Sequence, residues 1–286
     1  MEFISDLMTY EFLQRAMITS IIVGIICGVI GSFIVLRGMA LMGDAISHAV
    51  LPGIAISYML GINYFYGAVV IGVLSSLGIS LISQNSRIKI DSSIGIVFSA
   101  AFALGIILIT MAQSATDLTK ILFGNVLAVR PTDMWLTLVV GGIVILTVIL
   151  FYKELLVSSF DETMAAAYGL KTRLIHYLIM VLLTLVTVAS LQTVGVILVV
   201  SMLITPASTA YLLTNRLSLM ILLAAVFGAI SSITGIYFSF IYNLPSGPVI
   251  ALVTTTIFLL AFVFSPKQGL FWRKLRANKH KSITNS

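Results

Sequence analysis

Charge and cysteine are what this 286-residue sequence has least of. Charged residues make up 9% of it, and Cys27 is the one cysteine. A lone thiol excludes intramolecular disulfides and cysteine-built zinc or iron–sulfur centres, which leaves Cys27, inside an apolar run, as a packing residue. No lysine follows a glycine anywhere in the chain. The phosphate-cradling pattern Gly-x-x-x-x-Gly-Lys-Ser/Thr is therefore absent, and the chain is not expected to hydrolyse ATP itself. There is no His-Glu-x-x-His run, and three histidines in all give an intramembrane metallohydrolase little to work with. The start, Met1-Glu2-Phe3-Ile4-Ser5-Asp6, is acidic where a secretory leader is basic, so no cleaved signal is expected and the first apolar run is expected to stay as a helix. With no tandem repeat and no low-complexity linker, the sequence reads as one membrane domain over residues 1–286.

What the chain has is apolar surface. Hydrophobic residues make up 59% and the mean hydropathy is +1.14, outside the range of soluble domains. Apolar runs of about 17–25 residues, the length that crosses a hydrocarbon core as a helix, recur from end to end. The expected fold is an all-α, polytopic membrane bundle of eight or nine transmembrane helices. The runs are Ala16 to Leu36, Asp44 to Leu60, Tyr64 to Ile82, Ser93 to Ala112, Met134 to Phe151, Leu174 to Leu191, Val194 to Leu213, Leu217 to Tyr242 and Pro248 to Phe264.

Lysine and arginine set the orientation, because cytoplasmic loops carry their excess. With nine spans and a cytoplasmic C terminus, 13 of the 16 cations fall inside, and Arg15, Lys120 and Arg130 fall outside. If the stretch from Asp44 to Gly61 were re-entrant, Arg15 and Arg37 would exchange sides and the count would not change. Charge alone therefore leaves eight and nine spans equally acceptable.

Against this background Asp44 and His48 stand out, since ionisable groups at membrane depth are costly and functional by default. Four residues apart, they share one helical face and can converge on a single ion. Oxygen and nitrogen donors without thiolate suit Mn²⁺, Fe²⁺ or Zn²⁺ rather than copper(I). Pro52 lacks the N–H that would bond the His48 carbonyl, so that carbonyl is expected to be free, as a further ligand or as part of a hinge. Two donors do not complete a transition-metal shell. A second copy of the chain across a twofold axis would supply two more. The competing reading makes Asp44 a helix cap and His48 a partner for a neighbouring carbonyl.

Two further stretches interrupt the plain loops. In Ser158 to Gly169, Ser159 is expected to cap a short helix at the membrane face, with Glu162 completing a capping box and Gly169 ending it. At Thr205-Pro206, a new helix start or a kink is expected. A start there would leave Val194 to Ile204 only about 16 Å long, too short to cross. Gly24, Gly28, Gly31 and Ser32 give the first helix a small-residue face for close packing. His176 is expected at the inner interface. Asp117, Asn125, Arg130 and Asp133 form an outer polar segment on which a soluble partner could dock. The tail Lys267-Gln268-Gly269-Leu270-Phe271-Trp272-Arg273-Lys274-Leu275-Arg276 mixes cations with aromatics, as expected of a segment held at anionic lipids. Nothing points to nucleic acid.

The run Leu36-Arg37-Gly38-Met39-Ala40-Leu41-Met42-Gly43-Asp44-Ala45-Ile46-Ser47-His48-Ala49-Val50-Leu51-Pro52-Gly53 resembles the signature of permease subunits of bacterial manganese, zinc and iron ABC importers. So do Leu122 to Val129, Phe160 to Gly169, Val194 to Ala207 and Ser265 to Gln268, so the resemblance covers nearly the whole chain. Within that family the sequence is most similar to manganese permeases of Gram-positive bacteria. The resemblance implies a type II importer-like fold in the bacterial cell membrane, a homodimer, two cytoplasmic ATP-binding subunits and an external metal-binding lipoprotein. It implies that Asp44 and His48 coordinate the transported Mn²⁺, or Zn²⁺ or Fe²⁺, with no permanently bound cofactor. It also implies that the segments around Asp161, Glu162 and Pro206 face the ATPase. An ion-coupled secondary transporter would also carry midplane charges, but with inverted repeats, and a membrane scaffold would need neither Asp44 nor the carbonyl freed by Pro52.

Overall fold

A computed structural model describes residue 7 and residues 9–111 and 126–265. The outer segment with Asp117, Lys120 and Asn125, and the basic tail from Pro266, lie outside the described residues. Within them the chain is helical: α1 (Glu11–Leu36), α2 (Met42–Ala49), α3 (Leu51–Leu60), α4 (Tyr64–Asn85), α5 (Ile90–Met111), α6 (Pro131–Leu150), α7 (Tyr152–Phe160), α8 (Glu162–Ala167), α9 (Thr172–Val194), α10 (Val196–Leu213), α11 (Leu217–Tyr242) and α12 (Ser246–Phe264). A short 3₁₀ turn at Val126–Ala128 precedes α6. Eight of these helices are long and apolar enough to cross a membrane.

The small-residue face of α1 places that helix at the centre. A Cβ on Gly24 would stand 2.6 Å from the Gly228 carbonyl oxygen of α11, and one on Gly28 would stand 2.7 Å from Ala224. Only glycine lets the two backbones approach this closely. Ser232 of α11 donates to the Ser20 carbonyl at 2.8 Å across the same contact. Cys27 is fully buried, with Sγ 3.9 Å from Ser190 Oγ of α9, the packing role expected of it. In the most apolar stretch of α1, 72% of residues are buried within the chain, against 11% in α5 and 17% in α12. The last two helices therefore present apolar flanks to lipid or to another chain.

The order of contacts settles the span count that charge left open. Arg37, at the end of α1, shares a cavity with Ser83 and Gln84 near the end of α4, so α1 and α4 run in the same direction. Between them, Gly53 packs against Gly67 near the start of α4, and Val50 lies against Gly72 further along it. The α2–α3 segment therefore runs antiparallel to α4 and carries the chain from one face of the bundle to the other. Its 19 positions, Met42 to Leu60, would rise about 28 Å as one helix, and it is broken at Val50, beside Pro52. The described residues thus cross the bundle nine times, once through this broken pair.

Two local expectations are corrected. Ser159 does not cap a helix; it lies inside α7, and Asp161 is the cap of α8, its carboxylate accepting the N–H groups of Thr163 and Met164 at 2.9 Å each. Aspartate immediately before the helix body is the better acceptor for those N–H groups, which frees Glu162 for another partner. Of the two readings of Thr205-Pro206, the new helix start is excluded and the single helix stands, because α10 runs unbroken from Val196 to Leu213 with Pro206 buried inside it. Its ring removes one hydrogen bond, to the Met202 carbonyl, and packing tolerates the loss. At the break, the Pro52 ring denies the His48 carbonyl its helical N–H partner, as expected, and the Val50 N–H bonds the Ile46 carbonyl at 3.1 Å. Gly169 does end α8, in a left-handed conformation at φ 80°.

Candidate metal path

The α2 helix buries Met42, Ala45, Ile46 and Ala49, with Gly43 seated on the Leu203 side chain of α10. This pattern turns the opposite face outward, and that face carries Asp44 and His48. The His48 Nε2 lies 3.6 Å from Asp44 Oδ1, with the side chains 22% and 46% exposed. The expected convergence on one helical turn is therefore present. Phe98 and Phe102, in the middle of α5, meet the imidazole edge-on at 5.7 and 5.6 Å between centroids. They fix the ring plane, and they place His48 at mid-depth with Asp44 one turn nearer the Arg37 face. The buried Nδ1 has no partner, which leaves Nε2, beside the carboxylate, as the nitrogen with chemistry to offer.

Both side chains open into a groove of about 860 Å³ whose other walls are α10 and α12. Those walls are mostly apolar, through Val196, Ile197, Val200, Ile204, Pro248, Ala251 and Leu252. Such low-polarity walls strengthen any charge interaction made inside. The remaining polar groups are hydroxyls. Thr255 donates to its own helix at 2.8 Å, whereas the buried Ser201 hydroxyl has no partner. Ser201 and Thr205 were not anticipated, although their four-residue spacing puts them on one face of α10. Among the described residues no third His, Cys, Asp or Glu joins the pair, so one chain offers an ion two strong donors.

A second polar cluster, also unanticipated, lies at the face where α1 ends. The Arg37 side chain, 6% exposed, pairs with Glu162 Oε1 at 3.6 Å. It donates to Ser158 Oγ at 2.7 Å and Ser159 Oγ at 3.4 Å, and approaches His176 Nδ1 at 3.4 Å. Burial pulls its pKa down, and the Glu162 carboxylate pushes it back up. His176, expected at the inner end of a span, lies there near the start of α9 and is buried against this guanidinium. Exposed Asp161 is held below the ordinary carboxylate range, chiefly by the Thr163 hydroxyl and then by the Met164 N–H. The residues expected to meet an ATPase are therefore split. Asp161 and Glu162 share α8, while Pro206 sits about two turns inside α10, on the helix that lines the groove.

The family model described as the ABC 3 transport family matches residues 9–265. The manganese transport system membrane protein MntC of Listeria monocytogenes is 66% identical over 276 residues, 96% of this chain and 99% of that protein. The manganese import system permease protein ScaB of Streptococcus gordonii is 52% identical over 275 residues, again 96% and 99%. Among solved structures, PsaBC from Streptococcus pneumoniae in complex with Fab matches with a TM-score of 0.85 and 53% identity, over 93% of this chain and 96% of that one. Nine helical crossings among the described residues, a groove carrying the carboxylate–imidazole pair Asp44 and His48, and a family match over residues 9–265 lead to one assignment: the chain is a multi-pass membrane protein of the ABC 3 transport family.

Proposed function

We propose that this chain is the permease subunit of an ATP-driven manganese importer. Two copies flank the ion path, two ATP-binding subunits dock on the cytoplasmic face, and an external binding protein delivers the metal. The observation that carries this reading is the Asp44–His48 pair, aimed at mid-depth into a groove whose other walls are almost wholly apolar. One pair is half of a four-donor shell, and a twofold axis along the groove completes it with two carboxylates and two imidazoles. Carboxylate and imidazole suit Mn²⁺, and manganese is the ion in the names of the relatives reported above.

The positive-inside bias puts the Arg37 face and the C terminus in the cytoplasm. On that face α8, capped by Asp161 and tied through Glu162, is the element an ATP-binding subunit would push. The absence of a lysine after any glycine fits energy supplied by another subunit. In the cycle we propose, the ion enters the groove from outside and exchanges water for the paired carboxylates and imidazoles. Nucleotide-driven movement of α8 then opens the path inward, with the break beside Pro52 letting α2 tilt independently of α3.

ATP-dependent Mn²⁺ uptake by proteoliposomes holding the permease and its ATPase tests this. Asp44→Ala and His48→Ala each abolish accumulation while the complex still assembles. Uptake at the wild-type rate in both variants would remove the pair from the path.

A further inference from the structure

We infer that Arg37 is the positioning residue that links α8 to the metal-bearing helix α2, so that movement of α8 is delivered to Asp44 and His48. The inference rests on the permease reading and adds a residue to it. The Arg37 fork touches three elements at once: Ser158 and Ser159 of α7, Glu162 of α8 and His176 of α9. Arginine suits this place because its planar guanidinium sends donors in several fixed directions, which a lysine ammonium does not. A guanidinium this buried is costly to leave unpaired, so it follows its partners when they shift.

The connection onward from Arg37 is short and stiff. Gly38 turns the chain at φ 67°. The Met39 N–H bonds the Ile34 carbonyl and the Met42 N–H bonds the Met39 carbonyl, both at 3.0 Å. The Met39 and Met42 side chains are buried. Asp44 follows within the first turn of α2. A displacement at Glu162 therefore reaches the carboxylate through one side chain and one tight turn. The cavity of about 380 Å³ beside Arg37, which Lys89 also lines, leaves room for the guanidinium to move.

The test measures Mn²⁺ uptake and ATP hydrolysis in the same proteoliposomes for Arg37→Lys, Glu162→Gln and the double variant. Glu162 is 64% exposed, so its variant folds. Arg37→Lys keeps the charge and removes the fork. Each single variant is expected to hydrolyse ATP while moving less Mn²⁺ per ATP, roughly fivefold less or more, the low end of usual site-to-site couplings. The double variant is expected to be no worse than Arg37→Lys alone, because both changes interrupt one route. Wild-type ion-to-ATP ratios in both single variants overturn the inference, as does strict additivity in the double variant. A wild-type complex that shows no ATP-dependent uptake would instead overturn the permease reading itself.

Discussion

Replacing Asp44 by asparagine removes a charge from the groove and keeps the volume. The side chain is 46% exposed into that space and 3.6 Å from His48. Among the described residues no other His, Cys, Asp or Glu joins the pair to compensate. With the strength of a charge-assisted contact taken as a floor, the loss is about 1.5 to 3 kcal/mol per carboxylate. The twofold site loses both, about 3 to 6 kcal/mol, which is roughly a hundredfold to ten-thousandfold in affinity. The assay is the half-saturating Mn²⁺ concentration for ATP-dependent uptake in proteoliposomes, read with isothermal titration of the detergent-solubilised permease. Asp44→Asn is expected to raise both by that factor, with the complex still assembling. A half-saturating concentration equal to wild type would refute the reasoning, because an anionic ligand contributing nothing is not a ligand.

Other substitutions test other parts of the account. Gly228→Val forces a side chain into the α1 backbone at Gly24 and is expected to cost about 1 to 3 kcal/mol by overpacking, seen as a lower melting temperature of the purified permease. Asp161→Ala leaves the Thr163 and Met164 N–H groups without their acceptor and is expected to speed amide exchange in α8. Because Asp161 is held below the ordinary carboxylate pKa, its capping contribution is complete above the ordinary value and is lost as pH falls through the lowered one; exchange in α8, corrected for intrinsic pH dependence, should rise only in that acid range. Pro52→Ala returns an N–H at the break between α2 and α3, and is expected to slow uptake while leaving Mn²⁺ affinity unchanged.

Long-range architecture was legible because single residue types dictated it. Apolar length gave the long spans, and the glycine face of α1 announced a close helix contact before its partner on α11 was known. The Asp44–His48 spacing gave the convergence of the pair directly, since a helix leaves side chains four apart nowhere else to point. Partner choice was less legible. Ser159 with Glu162 fits a capping box as a pattern, yet Asp161, two residues nearer the helix, takes the free N–H groups and Glu162 turns to Arg37. Pro206 left a break or a kink open, and α10 continues through it as one helix. The same kind of signal at Pro52 was met by a real interruption at Val50. Arg37 and His176 lie 139 residues apart, and no local pattern brings them together. Span count was ambiguous for a similar reason, because the charges count the same on either topology and the contacts of Gly53 and Val50 with α4 decide it.

The ratio of bound Mn²⁺ to permease chains, measured by equilibrium titration of the assembled complex with electron paramagnetic resonance of the free ion, bears most directly on a shared site. One ion for every two chains, lost in His48→Ala, is the predicted result. One ion per chain, or undiminished binding without the imidazole, would contradict it.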